Sequence, residues 1–209
     1  MILSKARLAI TLSQLKTFAT PDVGTEQYPM DSEIGAAVLW NAYMNGDIEG
    51  KRIADLGAGT GILGIGALLL GARAVTFVEA DAEAIAVLRK NLDGIPTTGT
   101  VEIAHADIGA FSGSADVAIQ NPPFGTRKIH ADREFLEKAF RVAPVVYSFH
   151  KATSAEFLEK FAADHQYAIA GNWLFDFPIK MSQLFHRKNI HRVKVGCWKF
   201  VQQVATHGA

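Results

Sequence analysis

Hydrophobic residues along this chain follow two alternating periods. Short, mostly apolar runs that are typical of buried strands occupy residues 52–56, 74–80, 100–105, 115–120 and 144–150. Between most of them the apolar residues recur at helical spacing, over residues 61–72, 82–92, 132–142 and later 154–165. Strands that alternate with helices of this length predict βαβ units, and therefore an α/β fold with a doubly wound, mostly parallel sheet.

The two ends of the chain depart from this alternation. Apolar residues recur at helical spacing over residues 4–18, and a second helix is predicted from the capping residue Asp31 to Met44. Near the C-terminus, residues 167–177 and 191–201 are strand-like and are separated by a loop and basic residues. They predict an antiparallel hairpin at one edge of the sheet.

Length and composition fit one domain. The chain has 209 residues, of which 49% are hydrophobic, and this is ample for a single buried core. It shows no linker, internal repeat or low-complexity segment. We therefore expect one domain over residues 1–209, with an N-terminal helical segment at 1–50 that covers the ligand and the α/β core at 51–209.

The chain lacks the usual marks of export and of metal binding. Its N-terminus mixes lysine and arginine among the apolar residues, and no run of 18 apolar residues occurs, so we expect a soluble, cytoplasmic protein without a membrane segment. Cys197 is the only cysteine, which excludes an internal disulfide and a multi-cysteine zinc site. The seven histidines show no ligand spacing, so no metal site is expected.

Charge is balanced overall but unevenly distributed. The chain has 21 basic and 21 acidic residues, not counting histidine. From Phe177 to Ala209 there is no acidic residue and there are six basic ones, so the remaining residues carry 15 basic against 21 acidic side chains, a net charge of −6. A basic segment on an acidic body indicates a polyanionic partner. The alternative is a solvated strand pair whose lysines protect a sheet edge.

A glycine-rich loop follows the first predicted strand. Gly57, Gly59 and Gly61 are spaced two apart directly ahead of a predicted helix, in the sequence DLGAGTGILG. In open α/β sheets, ligands bind at the carboxyl ends of the strands. Glycines at that place let a ligand approach the backbone and the N-terminus of the helix. The loop is therefore the first candidate binding site.

Two acidic residues beside this loop indicate the kind of ligand. Asp55 immediately precedes it, where a carboxylate repels a pyrophosphate but can hold the cationic amino group of an amino acid. Glu79 ends the second strand and is placed to accept hydrogen bonds from both ribose hydroxyls of a nucleoside. An amino acid joined to adenosine is S-adenosylmethionine, so we expect this cofactor.

The fourth predicted strand ends in the sequence QNPPFG, which points to the reacting group. The side-chain oxygen of Asn121 and the carbonyl of Pro122 can accept hydrogen bonds from an exocyclic amine, and Phe124 can stack on the ring that carries it. The rigidity of Pro122 and Pro123 would keep these acceptors aimed at the methyl donor. We assign these four residues as catalytic, and we leave out His150 because a lone histidine at a strand end is more often structural.

The order of these motifs resembles a known group of enzymes. DLGAGTG, an acid at the end of the second strand and NPPF after the fourth resemble class I methyltransferases that act on planar nitrogens. More narrowly, EQYPMD, NPPFGT, VYSFHK and FHRK are similar, in this order along the whole chain, to the methyltransferase-like protein 5 family and its archaeal relatives. The resemblance implies a Rossmann-like, seven-stranded sheet and methylation of an adenine exocyclic nitrogen in small-subunit ribosomal RNA.

The same resemblance implies further site residues and a partner. Gln27 and Tyr28 would cover the cofactor, and Asp107 would face its adenine. In the eukaryotic relatives a small zinc-binding activator protein docks on the sheet. One position departs from the family, because Met30 stands where a threonine is usual. A threonine would be expected to hydrogen-bond near the methionine end of the cofactor, and Asp31 could substitute for that contact.

Basic residues near these motifs are candidates for contacts with RNA phosphates. Two follow the NPPF motif, and the others lie in the basic C-terminal segment: Arg127, Lys128, Arg187, Lys188 and Arg192.

Two other functions use some of the same features. A protein glutamine-amide methyltransferase uses a similar N-P-P-[FY] turn, because a carboxamide is also planar, but the chain has no separate peptide-recognition domain. An NAD-dependent dehydrogenase would use the G-x-G-x-x-G pattern of Gly59, Gly61 and Gly64, but Asp55 and the NPPF turn would then have no explanation.

Overall fold

A seven-stranded sheet forms the centre of the protein. The structure, a computed structural model, describes residues 3–17, 30–123, 131–180 and 190–203. Five strands are parallel to one another: β1 (Arg52–Leu56), β2 (Ala74–Glu79), β3 (Thr100–His105), β4 (Val117–Gln120) and β5 (Val145–Lys151). β7 (Ile190–Gln202) runs in the opposite direction, and it pairs antiparallel with both β5 and β6 (Tyr167–Lys180). The strand order is β3-β2-β1-β4-β5-β7-β6, which confirms the predicted mostly parallel sheet with a C-terminal hairpin.

Helices cover both faces of this sheet. One face packs against α1 (Lys5–Ser13), α2 (Ser32–Met44), α3 (Ile62–Leu69) and α4 (Ala82–Leu92). The other face packs against α5 (Ala131–Val142) and α6 (Ala155–Asp164). The strands alternate their apolar side chains between the two cores: Ile53 and Val117 face the first, and Ala54 and Ala118 face the second. The two N-terminal helices therefore share the larger core with the sheet.

Two helices are shorter than their apolar patterns predict. The first ends at Ser13, although the pattern extends to residue 18, because Ser13 Oγ donates to the carbonyl of Ile10 at 2.7 Å and competes with the helix backbone. The third ends at Leu69 because Gly71 takes a left-handed conformation, with φ at 89°. The N–H groups of Gly71 and Ala72 then close the helix onto the carbonyls of Leu68 and Ala67.

The C-terminal hairpin is longer than the rest of the sheet. Along β7, pairing with β5 begins at Val195, which lies opposite Lys151 at the carboxyl end of β5. Beyond it, Ile190–Lys194 continues to pair with Asp176–Lys180 of β6. This two-stranded ribbon extends past the carboxyl end of β5, so it projects from the same end of the sheet as the loops that follow β1 and β4.

Candidate functional site

The glycine-rich loop and the NPP turn start side by side. Leu56, the last residue of β1, is the register partner of Gln120, the last residue of β4. The next residues in the chain are Gly57 and Asn121, and neighbouring strands lie about 5 Å apart. The two motifs that the sequence singled out are therefore adjacent at the carboxyl end of the sheet.

Three glycines shape the loop after β1. Gly57, Gly59 and Gly61 have φ values of 69°, 54° and 91°, in the left-handed region that favours glycine. A Cβ atom at Gly57 would lie 2.8 Å from the Phe135 ring of α5, and one at Gly61 would lie 2.2 Å from Leu88. Side chains at these two positions are excluded both by conformation and by space, so the loop presents bare backbone.

Glu79 holds this loop against the end of β2. Its Oε2 accepts from the Gly59 N–H at 2.7 Å, and its Oε1 accepts from the N–H groups of Ala80 and Asp81 at 2.8 and 2.9 Å. A carboxylate offers about four acceptor sites. Among the described residues three of them are used, so the protein itself engages most of this carboxylate.

Asp55 lies beneath the loop. Its side chain is 2% exposed, and Oδ2 accepts from the Gly64 N–H in the first turn of α3 at 2.8 Å. Burial raises the pKa of this carboxyl to about 7; the Gly64 hydrogen bond lowers it and the Glu79 carboxylate raises it further. In this structure Asp55 supports the backbone that a ligand would approach, and it places a titratable group under that backbone.

Asn91 in α4 also supports the loop. Its Nδ2 donates to the carbonyl of Thr60, between the second and third glycines, at 2.9 Å, and to the carbonyl of Lys16 at 3.0 Å. Its Oδ1 accepts from the Lys16 N–H at 2.8 Å. The side chain is 5% exposed and ties the segment after α1 to the loop. The sequence contained no signal for this role, because a polar residue in a helix is usually solvated.

Asn121 places a buried hydrogen-bond acceptor at the start of the NPP turn. Among the described residues, its Oδ1 is buried and accepts no hydrogen bond. The following Pro122 is buried and Pro123 half-buried, so the turn is packed against the protein. A buried carbonyl oxygen without a donor is unfavourable, and in a native site it indicates a role in binding.

A buried polar chain lies behind Asn121. Gln120 Nε2 donates to Ser148 Oγ at 2.9 Å, and Ser148 Oγ lies 2.7 Å from His150 Nε2. Burial lowers the pKa of His150 to about 3, so its imidazole is neutral. Neither Gln120 nor Ser148 is among the site residues predicted from the sequence, and His150 is excluded from them as a lone histidine at a strand end. The sequence feature that could have revealed Ser148 and His150 is their spacing: two polar residues two apart lie on one face of an otherwise apolar strand.

Three other residues have clear local roles. Asp107 is exposed, and its Oδ1 accepts from the Gly109 N–H at 2.8 Å, which caps a 3-10 turn after β3. Met30 is 8% exposed and belongs to the larger core, and Asp31 caps α2 by accepting from the N–H groups of Glu33 and Ile34. The Asp31 carboxylate is therefore engaged at the helix N-terminus.

Several predicted site residues lie outside the described residues. They are Gln27, Tyr28, Phe124, Arg127, Lys128, Arg187 and Lys188. Arg192 lies in β7 on the projecting ribbon, and its backbone pairs with Pro178.

The described part of the chain holds neither a metal cluster nor a membrane span. No group of three or more His, Cys, Asp or Glu side chains in these residues is arranged to hold a metal ion. No helix in the same residues is long and apolar enough to cross a membrane.

Comparisons with known proteins identify the family of this chain. The model of the methyltransferase small domain matches residues 30–146. The rRNA N(6)-adenosine-methyltransferase METTL5 of Danio rerio is 31% identical over 195 residues, covering 90% of this chain and 94% of that protein. The corresponding Mettl5 of Drosophila melanogaster is 33% identical over 193 residues, covering 88% and 89%.

A solved structure is similar over nearly the whole chain. A candidate RNA methyltransferase from Pyrococcus horikoshii superposes with a TM-score of 0.89 at 43% identity, covering 98% of this chain and 100% of that one. Together with the matched family model and the two animal relatives, this similarity shows that the chain belongs to the methyltransferase small domain family and, within that family, to the METTL5 methyltransferases.

Proposed function

We propose that this protein transfers a methyl group from S-adenosylmethionine to the exocyclic N6 amine of an adenine in RNA, specifically in small-subunit ribosomal RNA. The observation that carries the proposal is the adjacency of two features at one end of the sheet. The glycine loop, which Asp55 and Glu79 hold in place, begins at the end of β1. The NPP turn begins at the neighbouring position of β4 with Asn121, whose side-chain oxygen accepts no hydrogen bond among the described residues. The names of the METTL5 relatives support the choice of rRNA adenine.

The residues at the ends of β1 and β2 fit S-adenosylmethionine. The glycine loop gives the ligand access to backbone, Glu79 keeps about one acceptor site for a ribose hydroxyl, and the buried Asp55 attracts a cationic amino group. We assign cofactor binding to Gln27, Tyr28, Asp55, Gly57, Gly59, Gly61, Glu79 and Asp107. When bound, the cofactor supplies a methyl group on a positively charged sulfur.

The turn after β4 would bind the acceptor. Asn121 Oδ1 and the Pro122 carbonyl accept hydrogen bonds from the amine, Pro123 keeps the turn rigid, and Phe124 stacks on the adenine after it leaves its own stack. The bound cofactor would supply its methyl group to the amine nitrogen, with the C–S bond breaking as the N–C bond forms, and the surplus proton would go to solvent. His150, which the polar chain of Gln120 and Ser148 links to this turn, is buried and neutral, so we assign it no proton transfer.

The projecting ribbon of β6 and β7 would bind the RNA backbone. It extends from the end of the sheet that carries the Asn121 turn, and Lys194 on it is exposed. We assign phosphate contacts to Arg187, Lys188 and Arg192 of this segment and to Arg127 and Lys128 beside the turn. A polyanionic substrate explains why the C-terminal segment contains six basic residues and no acidic ones.

Two further proposals concern the surroundings of the enzyme. A small zinc-binding activator protein, implied by the family resemblance, would have access to the sheet at β3, an edge strand whose residues are mostly exposed. We also propose that the enzyme works in the cytoplasm. An assay of the purified chain with and without the candidate activator tests the first proposal, because full activity of the chain alone would remove the need for a partner.

Cofactor binding is tested by calorimetry with S-adenosylhomocysteine. Glu79→Ala and Asp55→Ala should each weaken binding about tenfold or more, because a hydrogen bond to a charged group is worth ~1.5–3 kcal/mol. NADH should not bind, because Glu79 already engages the Gly59 amide that a pyrophosphate would need. Binding of NADH in preference to S-adenosylhomocysteine would favour the dehydrogenase alternative.

The acceptor is tested with labelled S-adenosylmethionine. Wild-type protein should label small-subunit rRNA as N6-methyladenosine, identified by mass spectrometry of the nucleosides. Asn121→Ala should lower turnover strongly and change S-adenosylhomocysteine affinity only a few-fold. The exposed Asn172→Ala serves as a matched control and should keep full activity. Label on protein glutamine instead of rRNA would favour the glutamine-amide alternative and contradict our proposal.

The RNA contacts are tested by the salt dependence of binding. Arg187→Ala with Lys188→Ala should weaken binding across RNA sequences and flatten the slope of log affinity against log salt by up to about 0.7 per lost contact with single-stranded RNA. S-adenosylhomocysteine affinity should not change. Parallel lines of equal affinity would mean that the basic segment is only a solvated hairpin.

A further inference from the structure

Three buried polar side chains lie behind the methyl-acceptor turn and take no part in the chemistry proposed above. Gln120 and Ser148 are 0% exposed and His150 is 1% exposed. Gln120 ends β4 and is the register partner of Ser148 in β5, and His150 lies two residues further along β5 on the same face. Hydrogen bonds of 2.9 and 2.7 Å join the three side chains in this order.

Each hydrogen bond among these three side chains has a donor and an acceptor. Ser148 Oγ accepts from Gln120 Nε2, so the Ser148 hydroxyl hydrogen needs an acceptor of its own. Nε2 of the neutral His150 supplies it when the ring proton is on Nδ1. In this arrangement the amide nitrogen of Gln120 faces Ser148 and its oxygen faces away from it.

This series of hydrogen-bonded side chains ends beside the methyl-acceptor turn, where two side-chain oxygens have no hydrogen-bond donor among the described residues. Among the described residues, Gln120 Oε1 and Asn121 Oδ1 are both buried, and neither accepts a hydrogen bond. A polar atom in this condition is less favourable than an apolar one of the same shape. Packing alone would favour an apolar residue at position 120, so its polar side chain indicates a role in the site.

We propose that Ser148 and His150 are positioning residues that act through Gln120 to orient the Asn121 carboxamide toward the acceptor amine. None of the three touches the substrate, because all are enclosed. Their effect passes through the backbone shared by Gln120 and Asn121. The inference rests on the function proposed above, which assigns the acceptor role to Asn121.

The clearest test is Gln120→Met, which has a similar length and removes both the donor to Ser148 and the unsatisfied oxygen. Thermal stability should be equal to or above that of the wild type, whereas kcat should fall about 10-fold or more with little change in KM for RNA, because a misplaced acceptor costs up to ~100-fold. A purely structural role predicts the opposite pattern: lower stability with unchanged kcat in the folded protein.

Ser148→Ala should lower kcat similarly, and Ser148→Thr, which keeps the hydroxyl, should restore most of it. The double variant Gln120→Met with Ser148→Ala should be no slower than the worse single variant if the chain acts as a unit. If kcat of the double variant instead falls by the product of the two single losses, the proposal is overturned. Cys197→Ala, a buried change that faces the opposite core, is the control and should lower stability without changing kcat.

NMR distinguishes a failure of this inference from a failure of the proposed function. The side-chain amide signals of Asn121 should shift in Gln120→Met and Ser148→Ala but not in Cys197→Ala, whether or not RNA is the substrate. Unchanged Asn121 signals would overturn the positioning role. If those signals shift but Asn121→Ala retains wild-type kcat, the acceptor assignment fails and the positioning geometry stands.

Discussion

Replacing Asp55 with asparagine should change how the stability of the protein depends on pH. The amide oxygen of the new side chain can still accept from the Gly64 N–H, so Asp55→Asn removes the charge and keeps the hydrogen bond to α3. Burial raises the pKa of the Asp55 carboxyl from 3.8 to about 7 in the folded protein. One pKa unit is worth ~1.36 kcal/mol, so the cost of ionising this group in the fold is about 4 kcal/mol.

The sign of the effect follows from which state binds the proton. Below pH 3.8 the carboxyl is protonated in both states and costs nothing. Between pH 3.8 and about 7 the folded protein keeps the proton that the unfolded chain loses, so wild-type stability falls as pH rises. Relative to Asp55→Asn, the wild type should therefore lose about 4 kcal/mol over this window and change little above it.

Urea unfolding of both proteins from about pH 4 to about pH 8 measures this difference, because other titrating groups cancel between them. Asp116→Asn is the control: Arg52 lowers the pKa of Asp116, so its contribution to stability is lost only below pH 3.8 and its difference from the wild type should stay constant over this pH range. A difference between wild type and Asp55→Asn that does not vary with pH would refute the reasoning from burial.

Three further substitutions test the supports of the fold and the site. Gly64→Ala should destabilise by about 1–3 kcal/mol in urea unfolding, because the new Cβ would lie 2.3 Å from the Phe77 ring. Asp47→Ala should cost ~3 kcal/mol in the same assay, since it leaves the largely buried ammonium of Lys199, which lies 2.6 Å from Asp47 Oδ2, without that partner. Asn91→Ala should lower stability by about 1–3 kcal/mol and weaken S-adenosylhomocysteine binding in calorimetry, because it frees the glycine loop from α4.

Each of these substitutions has a matched control. Gly94→Ala adds a Cβ that meets only a backbone carbonyl oxygen at 3.8 Å, so stability should barely change. Arg141→Ala breaks an exposed ion pair with Glu137 and should cost about 0–1 kcal/mol, as is typical of surface pairs. Asn172→Ala removes an exposed amide and should leave cofactor affinity unchanged. Equal losses of stability or of cofactor affinity in a variant and its control would contradict the reasoning from buried contacts.

Local patterns determined the elements and the candidate loops of this protein. The spacing of apolar residues and the choice of turn residues depend only on neighbours in the sequence. The strands, most of the helices and the C-terminal hairpin could therefore be predicted from it. The errors are the two helices that end early, at Ser13 and before Gly71. The glycine loop and the NPP turn were found in the same way, because their chemistry is concentrated in short segments.

Only the tertiary structure decided what each side chain of the site touches. The pairing of β1 with β4 set the glycine loop beside Asn121, and burial, which depends on residues distant in sequence, made Asp55 a support beneath the loop. The same holds for Asn91, whose partners lie 31 and 75 residues away, and for the polar chain that joins Gln120 to Ser148 across 28 residues. Hydrogen bonds between distant residues leave no periodic pattern, so the sequence revealed the functional loops and only the fold revealed what holds them in place.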